Sequence, residues 1–122
     1  MVVALDDDGR VYVTDWAGGR INVFTNDGEI IEVLSEWGMD PGELLNPTGI
    51  KIAPDNNVWV VDRGNHRIQR FTRNGELLNV WGSRGEGPGE FVVPTGINFD
   101  LDGNFFVSEV NNSRVQEIGR AH

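Results

Sequence analysis

Residues 48–94 read TGIKIAPDNNVWVVDRGNHRIQRFTRNGELLNVWGSRGEGPGEFVVP, and the sequence on either side repeats this pattern at a constant spacing. Pro47 returns as Pro94; Asp15 returns as Asp62 and Glu109; Arg20 returns as Arg67 and Arg114, each step being 47 residues with no gap. A fixed period of this length is the signature of a repeat architecture. It divides the 122 residues into repeats at about 1–47, 48–94 and 95–122, read as one domain.

Within 48–94 the apolar pattern is that of short strands separated by turn residues. Gly49–Ala53 and Val58–Asp62 flank a Pro-Asp-Asn-Asn turn, and Arg63–His66 turns the chain into Arg67–Thr72. The Asn74-Gly75 pair, a hairpin signal, then leads into a fourth strand, Glu76–Trp81. This predicts four antiparallel strands per repeat and eleven in the chain, the third repeat ending where its fourth strand would begin. The second strand is apolar at consecutive positions in each repeat: Val11-Tyr12-Val13, Val58 to Val61 and Phe105-Phe106-Val107. An antiparallel sheet with one wet face alternates apolar and polar residues instead. Tight hairpins exclude a parallel sheet, so each sheet needs a neighbour on both faces, as in the radially stacked blades of a β-propeller.

The connection after the fourth strand, 82–94 (and 35–47 before it), is long and rich in glycine. A chain leaving an outermost strand must cross about three strand spacings of ~4.8 Å and step ~10 Å to the next sheet, which needs about twelve extended residues. Leu44 and Phe91 are the apolar residues able to plug this loop onto the core, and Trp37, Trp59 and Trp81 are expected to pack between blades.

The pattern is similar to the NHL repeat family, most clearly in the segment from Pro47 to Glu76, where Asp62, Asn65, Arg67 and Ile68 stand at the motif positions. The downstream Gly-Glu-Gly-Pro-Gly-Glu-Phe loop, 85–91, strengthens the resemblance. Trp16-Ala17-Gly18 in the first repeat and Ser108-Glu109 in the third depart from the motif. The resemblance implies an all-β fold of propeller blades, usually six in a ring. About three blades in one chain would leave two apolar sheet faces open, and soluble monomers rarely expose patches beyond ~600 Å². The expectation is closure to six blades as a homodimer, with further repeats in a longer chain as the rival.

Composition narrows function. A net charge of −9 argues against nucleic acid, whose phosphates are bound by clustered Lys and Arg. No apolar run reaches the ~18 residues of a membrane span, no signal peptide is read at the N-terminus, and the absence of cysteine leaves the compartment undetermined.

Three acid–base pairs, Asp15/Arg20, Asp62/Arg67 and Glu109/Arg114, lie five residues apart across the turn between second and third strands. Such carboxylates could form a catalytic or metal-binding ring, yet recurrence in every repeat favours a structural pairing that holds the blade. Asp6-Asp7-Asp8-Gly9 and Asp100 to Asn104 resemble the opening of a calcium loop but lack its closing glutamate. A turn is the favoured reading, with calcium at Asp6 to Asp8 the lesser one. His66 and His122 have no metal-binding or catalytic companions at the right spacing.

Trp16, Arg63 and Val110, which follow the acidic residue, vary between repeats. The resemblance places such positions at the channel mouth, where related peptide-amidating lyases contact substrate, and puts metal-binding histidines after the blade proline. Here those positions are Thr48 and Thr95, so the metal site does not carry over. The reading favoured is a non-enzymatic binding scaffold for a protein, peptide or small ligand. The alternative is a metal-dependent lyase or hydrolase at the channel. RNA binding, known in some animal NHL proteins, conflicts with the acidic balance.

Overall fold

The computed structural model describes residues 2–109 and 114–120, with side chains through 118. Eleven strands form three antiparallel sheets among these residues. The first sheet contains β1 (Val3–Leu5), β2 (Val11–Asp15), β3 (Arg20–Phe24) and β4 (Ile30–Leu34), paired in that order. The second repeats it with β5 (Gly49–Ile52), β6 (Val58–Asp62), β7 (Arg67–Phe71) and β8 (Leu77–Trp81). The third holds β9 (Pro94–Phe99), β10 (Asn104–Glu109) and β11 (Arg114–Arg120). These are propeller blades, and the innermost strands β1, β5 and β9 lie next to one another in turn.

The repeat extends to irregularities. β3 and β7 bulge at Val23/Phe24 and Arg70/Phe71, 47 residues apart, and the two long loops each close on a parallel bridge, Trp37 to Leu44 and Arg84 to Phe91. Both loops end on a residue with positive φ, Asn46 (51°) and Val93 (51°), which turns the chain into the next inner strand.

Burial follows from position in the stack. Every residue of β6 is buried, because the middle blade has neighbours on both faces. β2 and β10 alternate instead, since each terminal blade is covered on one face only. Between the first two blades lie Tyr12, Ile21, Val23 and Leu34 against Ile50, Val58, Val60 and Phe71, capped by Leu44. Between the second and third lie Trp59, Val61, Ile68, Ile97, Phe105 and Val107, capped by Phe91. Leu44 and Phe91 are fully buried, as the loop reading required.

Trp59 and Trp81 pack between blades, with stacked rings 4.8 Å apart. Trp37 does not: it is 61% exposed on the first long loop. In the repeat it occupies the position of Arg84, not that of Trp81, so residue type misleads where register does not.

On the lower edge of the first blade, Asp6 closes the turn read as a calcium loop. Its side chain is fully buried and accepts from the backbone N–H of Asp8 and Arg10, the Arg10 Nε–H and the Tyr12 hydroxyl at 2.8 Å. A cation here would have to displace these donors. Burial pushes the Asp6 carboxyl up, but Tyr12, the two backbone N–H groups and Arg10 together outweigh it and hold the carboxyl below its usual range. Arg73 ties this turn to the second blade through Asp8 at 2.7 Å.

Burial and the bond to Asp6 push the Tyr12 phenol up to about 12. Tyr12 is the only tyrosine, so an alkaline spectrophotometric titration reads it directly. Phenolate absorbance should stay absent through the ordinary tyrosine range near pH ~10 and rise only close to pH 12.

Candidate functional site

Register brings the candidate residues to one edge of the blades. The backbone N–H of Thr48 donates to Val61 O, setting the start of β5 beside the end of β6, where Asp62 and Arg63 follow. Thr14 N–H likewise donates to Val2 O, so Asp15 and Trp16 occupy the same edge of the first blade. Thr48 and Thr95 meet between inner strands, the Thr48 hydroxyl donating to Thr95 O at 3.5 Å. They line a cleft of about 170 Å³ with Val2, Ile50, Lys51 and Ile97. Trp16 is 47% exposed and Arg63 half-buried on the rim. Val110 lies outside the described residues.

The acid–base pairs sit immediately beside this rim, and their work is visible in the middle blade. Asp62 is fully buried and bound to Arg67 Nε at 2.6 Å. The carboxylate also accepts from Leu45 N–H, the Asn65 amide and the Gln69 amide. Arg67 then donates to the carbonyls of Met39, Asp40 and Glu43. Gln69 donates to Glu43 O and accepts from Gly42 N–H. One blade thus clasps the loop delivered by the blade before it. The third blade repeats this: Arg114 Nε meets Glu109 at 2.5 Å and reaches the carbonyls of Glu86 and Glu90. Gln116 joins it through Glu90 O and Gly89 N–H.

The first blade differs from expectation. Asp15 and Arg20 are directly opposite across β2 and β3 but form no ion pair. Asp15 accepts from Gly18 N–H instead, and Arg20 is exposed. Among the described residues no loop offers its guanidinium carbonyls as Met39, Asp40 and Glu43 do to Arg67. Sequence reasoning also passed over Gln69 and Gln116, although their recurrence 47 residues apart was a usable signal.

His66, read as a plain turn residue, has a further role. It adopts a left-handed conformation (φ 55°) and its Nδ1 accepts the backbone N–H of Val93 at 3.0 Å, pinning the start of the third blade. Burial and the nearby Arg84 guanidinium push its imidazole below the usual value, against an upward pull from Asp62. The folded state therefore binds the proton less readily than the unfolded chain. Stability is fully present above the unfolded pKa of ~6.5 and is lost as pH falls below it. Thermal melts should show Tm dropping between pH ~7 and ~5, and His66→Asn, which suits the left-handed backbone but does not titrate, should flatten that part of the drop.

Residues 44–71 match the sequence signature described as the NHL repeat. This segment is an NHL repeat. It contains Leu44, the plug, and the whole Asp62–Arg67–Gln69 clasp. No curated protein matches the chain. Among solved structures, a catalytically inactive virginiamycin B lyase from Staphylococcus aureus with quinupristin superposes at TM-score 0.76 and 24% identity, covering 98% of this chain and 37% of the lyase. A streptogramin B lyase gives TM-score 0.68 at 22% identity, with 98% and 40% covered. A protein of unknown function from Bacteroides caccae gives 0.66 at 22%, with 98% and 42% covered. At these identities the likeness concerns the propeller fold. The chain spans about two fifths of each structure's length.

Proposed function

We propose that this NHL segment is a non-enzymatic binding scaffold, holding varied side chains on the upper rim of a propeller for a protein, peptide or small ligand. One observation carries the reading: two of the three recurring carboxylates a catalytic site would use, Asp62 and Glu109, are already engaged. The two oxygens of Asp62 receive Leu45 N–H, Asn65, Arg67 and Gln69, and a general base needs a lone pair within reach of substrate. The next position changes from Trp16 to Arg63 between blades, and both types are enriched where binding energy concentrates. A peptide array probed with the protein tests this. Bound peptides should be recovered intact, and binding should fall in Trp16→Ala and Arg63→Ala. Binding indifferent to both variants, or peptides recovered cleaved, would sink the reading.

A second reading is a metal-dependent lyase or hydrolase between the inner strands, beside Thr48 and Thr95. The superposition over 98% of the chain on virginiamycin B lyase favours it. Quinupristin incubated with the protein and a series of divalent cations, followed by mass spectrometry, separates the two. The scaffold leaves it unchanged; turnover, with stoichiometric metal in elemental analysis, establishes the enzyme.

A further inference from the structure

The turn between the first two strands of a blade is built the same way three times. A backbone N–H at its start donates to a carbonyl four residues on: Asp6 to Arg10, Ala53 to Asn57 and Asp100 to Asn104. The position before that carbonyl is left-handed in each turn, at Gly9 (φ 81°), Asn56 (67°) and Gly103 (84°). Only the middle turn places a side chain there, and only the middle turn has Ala53 where Asp6 and Asp100 stand. A left-handed residue other than glycine carries backbone strain. Asn56 adds a second cost, because its Oδ1 is buried with no donor among the described residues.

Asn56 lines a cleft of about 330 Å³ on the lower edge, at the junction of the first two blades. Arg10 enters it from the first blade, Asn57, Thr72, Arg73 and Asn74 from the second, and no lining side chain is apolar. Asp55 also borders the cleft, but its carboxylate is committed to Arg70 at 2.9 Å and to Asn57 N–H. Each guanidinium is fixed at one nitrogen, Arg10 Nε by Asp6 and Arg73 Nη1 by Asp8 and Asp6. Arg10 Nη1 and the Nε and Nη2 of Arg73 have no acceptor among the described residues.

We propose that this cleft binds a small hydroxycarboxylate. Its carboxylate sits on the unused N–H groups of Arg10 and Arg73, whose planar forks match that shape. Its hydroxyl donates to Asn56 Oδ1, which gives the strained residue a use that Gly9 and Gly103 do not have. Charge limits the guest. Arg10 and Arg73 set against Asp6 and Asp8 leave no net charge, and Asp8 is the exposed one of the two carboxylates. A monoanion is accommodated there, whereas a dianionic phosphate meets more repulsion. The polar wall suits a hydroxylated body and offers no face to an apolar one.

The test is titration of the whole chain with lactate and with propanoate, which differ by one hydroxyl, read through backbone amide NMR shifts. Lactate should shift the amides of residues 55–57 and 72–74 saturably. It should bind roughly tenfold tighter than propanoate, the cost of leaving a buried acceptor unmet. Asn56→Gly restores the residue of the other two turns; it should melt no lower than the parent and bring lactate down to the affinity of propanoate. Arg10→Lys keeps the charge but loses the fork, and should weaken both acids. Equal binding of the two acids, a difference that survives Asn56→Gly, no saturable shift at these residues, or indifference to Arg10→Lys each overturns the proposal. Peptide binding at the upper rim is read separately through Trp16 and Arg63, so the two readings fail independently.

Discussion

Replacing Asp62 with alanine should cost about 3–5 kcal/mol, because it leaves a buried guanidinium without its counter-ion. The loss spreads further than the pair. Arg67, Gln69, Asn65 and Leu45 N–H all lose the same carboxylate, and Arg67 and Gln69 are what hold loop residues 39–43 over the junction of two blades. Domains of ordinary stability have only about 5–15 kcal/mol in total, so Asp62→Ala should be largely unfolded at modest urea concentrations. The control is Asp15→Ala at the same repeat position. Its carboxylate accepts one N–H within its own turn and pairs with no arginine among the described residues, so its cost should stay below about 1 kcal/mol. Urea denaturation followed by circular dichroism compares the two. Equal losses would mean that the three turns do the same work, contrary to the geometry.

The second large effect is expected at Trp59. Its ring is fully buried, stacks on Trp81 at 4.8 Å, and meets Phe99 and Phe105 at 5.1 and 4.8 Å across the second junction. Trp59→Ala should cost about 3–5 kcal/mol through lost burial and the cavity left behind. Trp59→Phe should cost well under half as much. It keeps a ring against Trp81 and removes an indole N–H that has no acceptor among the described residues. Trp37→Ala should be nearly neutral, since that ring is largely in solvent. Tryptophan fluorescence with chemical denaturation would rank all three.

The architecture was legible because a period of 47 residues fixes strands, turns and loops together, and because consecutive apolar residues in β6 demand cover on both faces. The clasps were legible only in part. A spacing of five reports that Asp15 and Arg20 are cross-strand partners, as Asp62 and Arg67 are. It says nothing of where a long side chain points. That is decided by carbonyls on a loop 24 to 28 residues earlier in the chain, a contact no local pattern records. His66 is similar: its bond to Val93 joins positions 27 apart and has no counterpart in the first blade, where Gly19 stands.

That the second and third sheets each grip the loop ahead of them gives the array a direction. A cut between Trp81 and Gly82 severs no clasp from its loop, whereas a cut between Pro47 and Thr48 separates Arg67 from the carbonyls it holds. The transplantable module is therefore residues 35–81, which carries latch and keeper together, and is offset from the sheet boundaries that the eye would choose. Grafts spliced on that frame should remain self-sufficient at their leading junction; grafts spliced sheet by sheet would arrive with a latch and nothing to close on.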